Sequence, residues 1–157
     1  FFGYAVGAGP LIGYHYGAAN HKELKNLFRK SMAITSIAAV FMTVVSIALA
    51  IPLAKIFVGY DQTLCEMTGR GMTIYSLSFL LCGFNIFGSA FFTGLNNGKI
   101  SAFISFLRTL VLQVVAIIVL PMFWGLDGIW FAVVVAEGLT LVVTFAFLVT
   151  QRKRYHY

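Results

Sequence analysis

Five long apolar segments, joined by short polar connectors, most constrain what this chain can fold into. A helix that crosses a bilayer needs about 20 mostly apolar residues, and these segments reach or approach that length. The predicted helices cover residues 2–20, 31–58, 71–95, 100–124 and 128–150. Only 10% of the residues are Asp, Glu, Lys or Arg, whereas soluble domains carry about 25%. We therefore predict an all-α integral membrane protein, a polytopic bundle of about five transmembrane helices.

The distribution of basic residues predicts how the helices are oriented. Most of the 11 Lys and Arg residues lie in the first connector, the third connector and the tail. They are Lys22, Lys25, Arg29, Lys30, Lys99, Arg152, Lys153 and Arg154. Five helices put these three parts on one side of the membrane, and the positive-inside rule makes that side cytoplasmic. We expect a multi-pass plasma-membrane protein with a cytoplasmic C-terminus, whose net charge of +6 reflects topology rather than nucleic-acid binding.

No pattern of reactive or metal-ligating side chains points to an enzyme. Cys65 and Cys82 lack the spacing of a metal site, and the three histidines are scattered along the chain. The glycines of the first segment lack the Lys-Ser/Thr pair that ends a phosphate-binding loop. We therefore predict no catalysis, no cofactor and no bound metal.

Polar side chains recur on one face of the third predicted helix. At about 100° per residue they fall within a sector of roughly 80°, along almost the whole depth of the membrane. They are Tyr75, Ser78, Cys82, Asn85, Ser89, Thr93 and Asn96. Unpaired polar groups cost free energy in hydrocarbon, so this stripe either hydrogen-bonds to neighbouring helices or lines a hydrated cavity. We favour the cavity because the stripe is so long.

Two charged residues lie within predicted helices. Glu137 is near the middle of the fifth helix, where a carboxylate costs about 3 kcal/mol. It is either satisfied by a neighbouring helix or part of a proton or cation site. Arg108, in the fourth helix, is expected to snorkel to the cytoplasmic surface; otherwise it pairs with Glu137 or lines a cavity. Gln113 lies deeper in the fourth helix and is placed to bond across helices.

Glycines at every fourth position mark the first segment. Gly9, Gly13 and Gly17 form a ladder of small residues that lets another backbone approach closely. Pro10 removes one helical hydrogen bond and should kink the helix. The ladder indicates either tight packing or the hinge of a moving helix, and both can hold.

Three motifs, in order, resemble the multidrug and toxic compound extrusion (MATE) family. Pro-Leu-Ile-Gly-Tyr-His-Tyr-Gly-Ala at 10–18, followed by a basic connector, resembles the signature of that family's eighth helix. Gly-Leu-Asn-Asn-Gly-Lys at 94–99 resembles the turn between its tenth and eleventh helices, and 125–130 with Glu137 resembles the start of its last helix. Residues 1–157 would then be a C-terminal lobe fragment, roughly helices eight to twelve of a two-lobe, twelve-helix transporter.

The resemblance implies a secondary antiporter that exports cationic, amphipathic compounds in exchange for Na⁺ or H⁺. Substrate would bind in a central cavity between the lobes, with the small organic cations, the bilayer and the N-terminal lobe of the same protein as partners. The cavity candidates are Tyr14, Tyr75, Ser78, Asn85, Ser89 and Thr93. Some branches carry an acid in the tenth helix, which residues 71–95 lack. Glu137 is therefore the ion- or proton-coupling candidate, and a coupling acid in the N-terminal lobe is the alternative.

Two other functions stay open on the sequence. One is a flippase for lipid-linked precursors from the same superfamily, and the other is a non-transporting membrane assembly protein. A flippase must handle a pyrophosphate and would need several buried cations, for which Arg108 is the one candidate. An assembly protein would not need a polar stripe through the depth of the membrane.

Overall fold

The chain is built from helices alone. The computed structural model describes all residues, 1–157, and contains no strand. The elements are α1 (Phe2–Gly17), α2 (His21–Val58), α3 (Gln62–Ser76), α4 (Phe79–Gly94), α5 (Gly98–Phe106), a π-helical segment (Leu107–Leu112) and α6 (Gln113–Tyr155).

By length and composition, two helical stretches are suited to cross a membrane, and a third is added when the bent pair α3 and α4 is taken as one span. The first two are α2 and Gly98–Tyr155, which joins α5, the π-helical segment and α6. The absence of strands and these apolar stretches confirm the predicted class, a helical membrane bundle.

The 58-residue stretch Gly98–Tyr155 folds back on itself at Gly125. Gly125 has φ +57° and ψ −136°, a backbone conformation that residues with a Cβ rarely adopt. Just after this turn, a Cβ built on Gly128 would lie 2.5 Å from the carbonyl oxygen of Leu120. In a straight helix these two residues would be about 12 Å apart, so the chain reverses direction here.

The two arms of this hairpin, residues 98–124 and 126–155, run antiparallel along their length. Near the open end, the rings of Phe103 and Phe147 pack with centroids 5.8 Å apart. Nearer the turn, small alanines of both arms form a buried cluster, consisting of Ala116, Ala132 and Ala136. The arms correspond to the separate helices that the sequence predicts at 100–124 and 128–150.

Helix α2 begins earlier than hydropathy predicts. The side chain of Asn20 accepts a hydrogen bond from the backbone N–H of Glu23 at 3.2 Å and caps the helix. The polar residues before position 31, which by sequence are expected to form a partly helical loop, are therefore helical from His21 onward. With 38 residues, α2 is about 57 Å long, which exceeds the roughly 30 Å of the hydrocarbon core. Its first, basic turns must extend beyond the hydrocarbon.

The helix predicted at 71–95 is instead the bent pair α3 and α4, with an angle of 43° between them. The break falls at residues 77–78. Helix α3 starts within the predicted connector at 59–70, because the side chain of Asp61 accepts a hydrogen bond from the backbone N–H of Leu64 at 3.0 Å. The bend redirects the polar stripe partway through the membrane.

An aromatic cluster packs α2, α4 and the end of the chain together. Phe87, Phe91 and Phe92 of α4 are almost fully buried. Phe28 of α2 packs on Phe91 with ring centroids 4.9 Å apart, and Tyr157 packs on Phe91 at 4.8 Å. This cluster fixes the end of α6 against the middle of the bundle.

One end of the bundle gathers the connectors that are rich in Lys and Arg. The amide of Asn97, in the turn between α4 and α5, donates to the hydroxyl of Tyr155 at 2.9 Å. The ring of Tyr16, at the end of α1, packs on Tyr155 at 5.5 Å. We call this the basic end. At the opposite end, Arg70 of α3 forms an ion pair with Asp127 in the hairpin turn.

Candidate functional site

A buried ion pair joins the two arms of the hairpin, away from both of its ends. Arg108 donates from Nε and Nη2 to Oε1 of Glu137 at 2.8 and 2.7 Å. Asn85 of α4 donates from Nδ2 to Oε2 of Glu137 at 2.8 Å and to its main-chain oxygen at 2.9 Å. The side chains of Arg108 and Glu137 are 21% and 8% exposed. These three residues form the polar cluster.

Arg108 lies in the π-helical segment Leu107–Leu112. A π turn widens the helix and changes the direction of the side chains it carries, and such turns are frequent at functional sites. The guanidinium is bonded to Glu137 rather than extended along the helix to the membrane surface. The expected snorkelling is therefore wrong, and the alternative pairing with Glu137 is what the structure contains.

The polar cluster contains two opposite charges within a membrane span, and they neutralise each other. A lone carboxylate or guanidinium at the centre of a transmembrane helix costs about 3 kcal/mol on insertion scales. One polar atom is left over, because Oδ1 of the fully buried Asn85 has no hydrogen-bond partner. No group of three or more His, Cys, Asp or Glu side chains is close enough to hold a metal ion.

Four hydroxyl groups continue from the polar cluster toward the basic end. The hydroxyl oxygen of Ser89 lies 2.8 Å from that of Ser105 and 2.9 Å from that of Ser101. The hydroxyls of Thr93 and Ser101 are 2.7 Å apart. Ser105 lies one helical turn before Arg108. Because each hydroxyl both donates and accepts, this hydroxyl row links α4 to α5 and leads toward the ion pair.

A pocket of about 290 Å³ opens beside the polar cluster, between α1, α4 and the first arm. Its polar lining consists of Asn85, Ser89, Ser105, Arg108 and Thr109, and apolar side chains of α1 lie among the other lining residues. The volume holds several water molecules. Walls of mixed polarity suit a ligand that is itself amphipathic.

The predicted polar stripe divides at the bend between α3 and α4. Asn85 and Ser89 line the pocket, while Ser89 and Thr93 also form hydrogen bonds to hydroxyls of α5. Ser78 is buried at the bend, and Tyr75 is 40% exposed on α3. Ser89 and Thr93 of the stripe therefore form interhelical hydrogen bonds, and Asn85 and Ser89 line a pocket. The hydrated cavity along the whole stripe stays a prediction.

Tyr14 and Gln113 lie outside this pocket. Tyr14 is 71% exposed on α1 and packs edge-on against His15, with ring centroids 5.3 Å apart. Gln113 is partly buried at the start of α6. Neither side chain is among the residues that line the pocket, and the structure does not bring them to the polar cluster.

The glycine ladder of α1 packs against α4. A Cβ on Gly13 would lie 3.4 Å from the carbonyl oxygen of Gly94, and a Cβ on Gly94 would lie 3.2 Å from that of Gly9. Gly17 faces open space. Pro10 is exposed, and α1 continues through it. Close packing therefore involves Gly13 and Gly94, a Cβ on Gly9 would face open space, and the hinge stays a prediction.

Ser101 and Ser105 are site residues that the predicted set lacks. Their spacing before Arg108 puts all three on one helical face, and that was the signal that could have included them. The ion pair between Arg70 and Asp127 is also absent from the predicted set. Its partners are 57 positions apart, so no local pattern could indicate it.

Comparison with known proteins identifies the family of this chain. No curated protein and no solved structure matches it. A family model described as MatE matches residues 1–119. The match covers well over half of the 157 residues and includes Asn85, Arg108 and the hydroxyl row, while Glu137 lies beyond it. The chain therefore belongs to the MatE family, whose members are multi-pass membrane transporters.

Proposed function

We propose that the protein containing this chain is a secondary antiporter, which exports cationic, amphipathic compounds in exchange for Na⁺ or H⁺. The supporting observation is the polar cluster, an ion pair inside a membrane span beside a pocket of mixed polarity. Charged side chains within spans mark ion and substrate pathways. Because the chain belongs to a transporter family, we assign the polar cluster to the ion and substrate pathway.

The charge of the pocket depends on what occupies Glu137. While Arg108 is bonded to Glu137, the pair is neutral and the pocket admits an organic cation. Na⁺ or H⁺ on Glu137 neutralises the carboxylate and leaves Arg108 uncompensated beside the pocket. Two unit charges about 8 Å apart repel by about 2 kcal/mol at an effective dielectric constant of about 20. That energy lowers the affinity for an organic cation about 30-fold, so the two cations exclude each other, as antiport requires.

Asn85 and the hydroxyl row supply the remaining parts of this exchange. The unpartnered Oδ1 of Asn85 is an acceptor for a protonated Glu137 or an oxygen ligand for Na⁺, since hard cations prefer oxygen ligands. The hydroxyl row extends from Ser105 toward the basic end. Because each hydroxyl both donates and accepts a hydrogen bond, the row would connect Glu137 with the basic end when coupling is by H⁺.

The rest of the protein completes the transport pathway in this proposal. We place the basic end in the cytoplasm and the protein in the plasma membrane, following the positive-inside rule. The N-terminal lobe supplies the other wall of the central cavity, and the two lobes rock around it in the manner of repeat-built transporters. The candidates Tyr14 and Tyr75 are exposed in this chain, where that second wall can contact them.

A flippase of lipid-linked precursors is less well supported. It would need several free cations within the span to hold a pyrophosphate. Arg108 is the cation in the middle of the hairpin, and Glu137 already neutralises it. The polar cluster is therefore better suited to cations than to a polyanion.

Ethidium accumulation in cells that lack their own efflux pumps tests the proposal. The full-length protein should lower dye accumulation. Glu137→Gln should remove most of this effect, and more of it than Arg108→Gln, because the second variant keeps the carboxylate that exchanges cations. Glu66→Gln makes the same chemical change at an exposed position of α3 and should export normally.

Unchanged dye accumulation on expression of the full-length protein would refute the antiport proposal. Equal and negligible effects of Glu137→Gln and Arg108→Gln would reduce Glu137 to a structural residue. Dye efflux from vesicles with an imposed Na⁺ gradient, compared with an imposed pH gradient, identifies the coupling ion.

A further inference from the structure

A groove between α2 and the second arm of the hairpin opens at the basic end, separate from the transport pocket. Its volume is about 340 Å³. Three basic side chains, Lys25 and Arg29 of α2 and Arg152 of α6, line it together with apolar residues that include Phe28 and Leu148. Lys25 and Arg29 are four residues apart, so they lie on the same face of α2.

The three cations of this groove have no acidic partner. Neither of the two ion pairs in the chain involves them. Glu23 is the one acidic side chain near the basic end, and its carboxylate accepts a hydrogen bond from Asn26 at 3.3 Å. Arg152 uses Nε on the main-chain oxygen of Tyr157 at 3.1 Å, which leaves its terminal nitrogens free. No acidic side chain therefore neutralises the three cations, and the groove presents a positive face to a ligand.

Tyr157 fixes one wall of the groove. Its hydroxyl donates to the main-chain oxygen of Leu148 at 2.7 Å, and its ring packs on Phe28 with centroids 5.1 Å apart. Burial raises the pKa of the Tyr157 phenol above its usual range. The phenol stays neutral at physiological pH, so it adds no negative charge to the groove.

A smaller, mainly apolar cavity adjoins the groove on the side away from the basic end. This cavity of about 140 Å³ shares Met32 and Phe145 with the groove and extends to Phe84 and Leu141. The distance along α6 from Arg152 to Leu141 is about 16 Å. The two adjoining cavities thus have three cations at the basic end and apolar side chains farther along the hairpin.

We propose that this groove binds an anionic phospholipid of the leaflet at the basic end. The headgroup phosphate contacts Lys25, Arg29 and Arg152, and one acyl chain lies along Met32 and Phe145. Basic pockets between transmembrane helices suit anionic headgroups. The charge selects an anion, and the apolar continuation selects a lipid over a soluble phosphate. The organic cations of the proposed transport reaction would be repelled here, so this lipid site does not depend on that proposal.

Phosphatidylglycerol binding to the purified full-length protein tests the lipid site. Native mass spectrometry counts bound dioleoylphosphatidylglycerol, and its effect on Tm in detergent gives an apparent affinity. The double variant Arg29→Gln/Arg152→Gln removes two cations of the groove. The matched control, Lys22→Gln/Lys153→Gln, removes two exposed cations of the same end that do not line it.

We expect the groove variant to bind phosphatidylglycerol about 30-fold more weakly, because each basic side chain near the membrane surface contributes about 1 kcal/mol. The control should bind it as the unmodified protein does, and all proteins should have similar Tm values without added lipid. Met32→Trp fills the apolar part of the groove and should weaken phosphatidylglycerol binding without changing the charge. Dioleoylphosphatidylcholine and inorganic phosphate should not raise Tm.

Three results would overturn the lipid site. Equal losses in the groove variant and its control would mean that the basic end attracts anionic lipid diffusely. Equal protection by inorganic phosphate would mean that the groove is an anion site without a lipid tail. No phosphatidylglycerol on the unmodified protein would mean that another part of the full-length protein fills the groove.

Discussion

Arg108 and Glu137 should be strongly coupled in a double-mutant cycle. The losses of unfolding free energy in the two single variants should add to more than the loss in the double variant. Removing one partner of a buried pair leaves the other charge uncompensated, which costs about 3–5 kcal/mol. The side chain of Glu137 is 8% exposed and that of Arg108 is 21% exposed, so an unpaired Arg108 is better solvated than an unpaired Glu137. We therefore expect a loss of about 3 kcal/mol for Arg108→Gln and about 2 kcal/mol for Glu137→Gln, at or below the lower end of that range.

The double variant Arg108→Gln/Glu137→Gln should cost only about 2 kcal/mol, since two facing amides carry no charge and can hydrogen-bond to each other. The two single effects add to about 5 kcal/mol, so the cycle predicts a coupling energy of about 3 kcal/mol, the upper end of the usual range for contacting residues. Hydrogen bonds between neutral side chains in membrane proteins average only about 0.6 kcal/mol in such cycles. The amount by which the coupling energy exceeds this average measures what the two charges add to the interaction.

Unfolding of the full-length protein in mixed micelles, followed by circular dichroism as denaturing detergent is added, supplies the four free energies of the cycle. Glu66→Gln, at an exposed site, is the control and should change the unfolding free energy by less than about 0.5 kcal/mol. Additivity of the two single variants within about 0.5 kcal/mol would show that Arg108 and Glu137 do not interact, and would refute the geometry of the polar cluster.

Two further predictions concern glycines. Gly94→Ala should lower the unfolding free energy by about 1–3 kcal/mol, because the new Cβ would lie 2.8 Å from Cβ of the fully buried Ile12. The control is Gly17→Ala, because a Cβ at Gly17 would face open space. Equal losses in the two variants would contradict close packing of α1 on α4. Gly125→Ala should cost about 1–3 kcal/mol of backbone strain at φ +57°, measured by thermal unfolding. Gly98→Ala is the control and should leave the stability unchanged. An equally stable Gly125→Ala variant would contradict the hairpin turn at Gly125.

The fold class and the hairpin could be predicted because both depend on features that are local in the sequence. Long apolar runs exclude a soluble fold, and the polar turn near Gly125 separates two of them. The start of α2 was missed because hydropathy detects what lipid accepts, not where helical hydrogen bonding begins. Asn20 followed by Glu23 three positions later is a capping pattern, and it is the signal that marks the true start.

The site was only partly predictable because it depends on how helices face one another. The sequence offers Glu137 as a partner for Arg108, but choosing between pairing and snorkelling needs the register of the two arms. The π turn at Leu107–Leu112 carries no marker in the sequence. A constant angle of about 100° per residue holds only within an unbroken helix. The sequence pattern therefore cannot show whether Tyr75 and Asn85, on opposite sides of the bend, share one face.

Synthesis of the chain brings Arg108 out of the ribosome 29 residues before Glu137. If the first arm entered lipid alone, Arg108 would be inserted without a counter-charge, at about 2.5–3.5 kcal/mol on translocon scales. The short turn at Gly125 lets the second arm follow at once and deliver Glu137 to the same depth. We therefore expect the two arms to enter the membrane together, as a neutral hairpin rather than as two charged helices in succession.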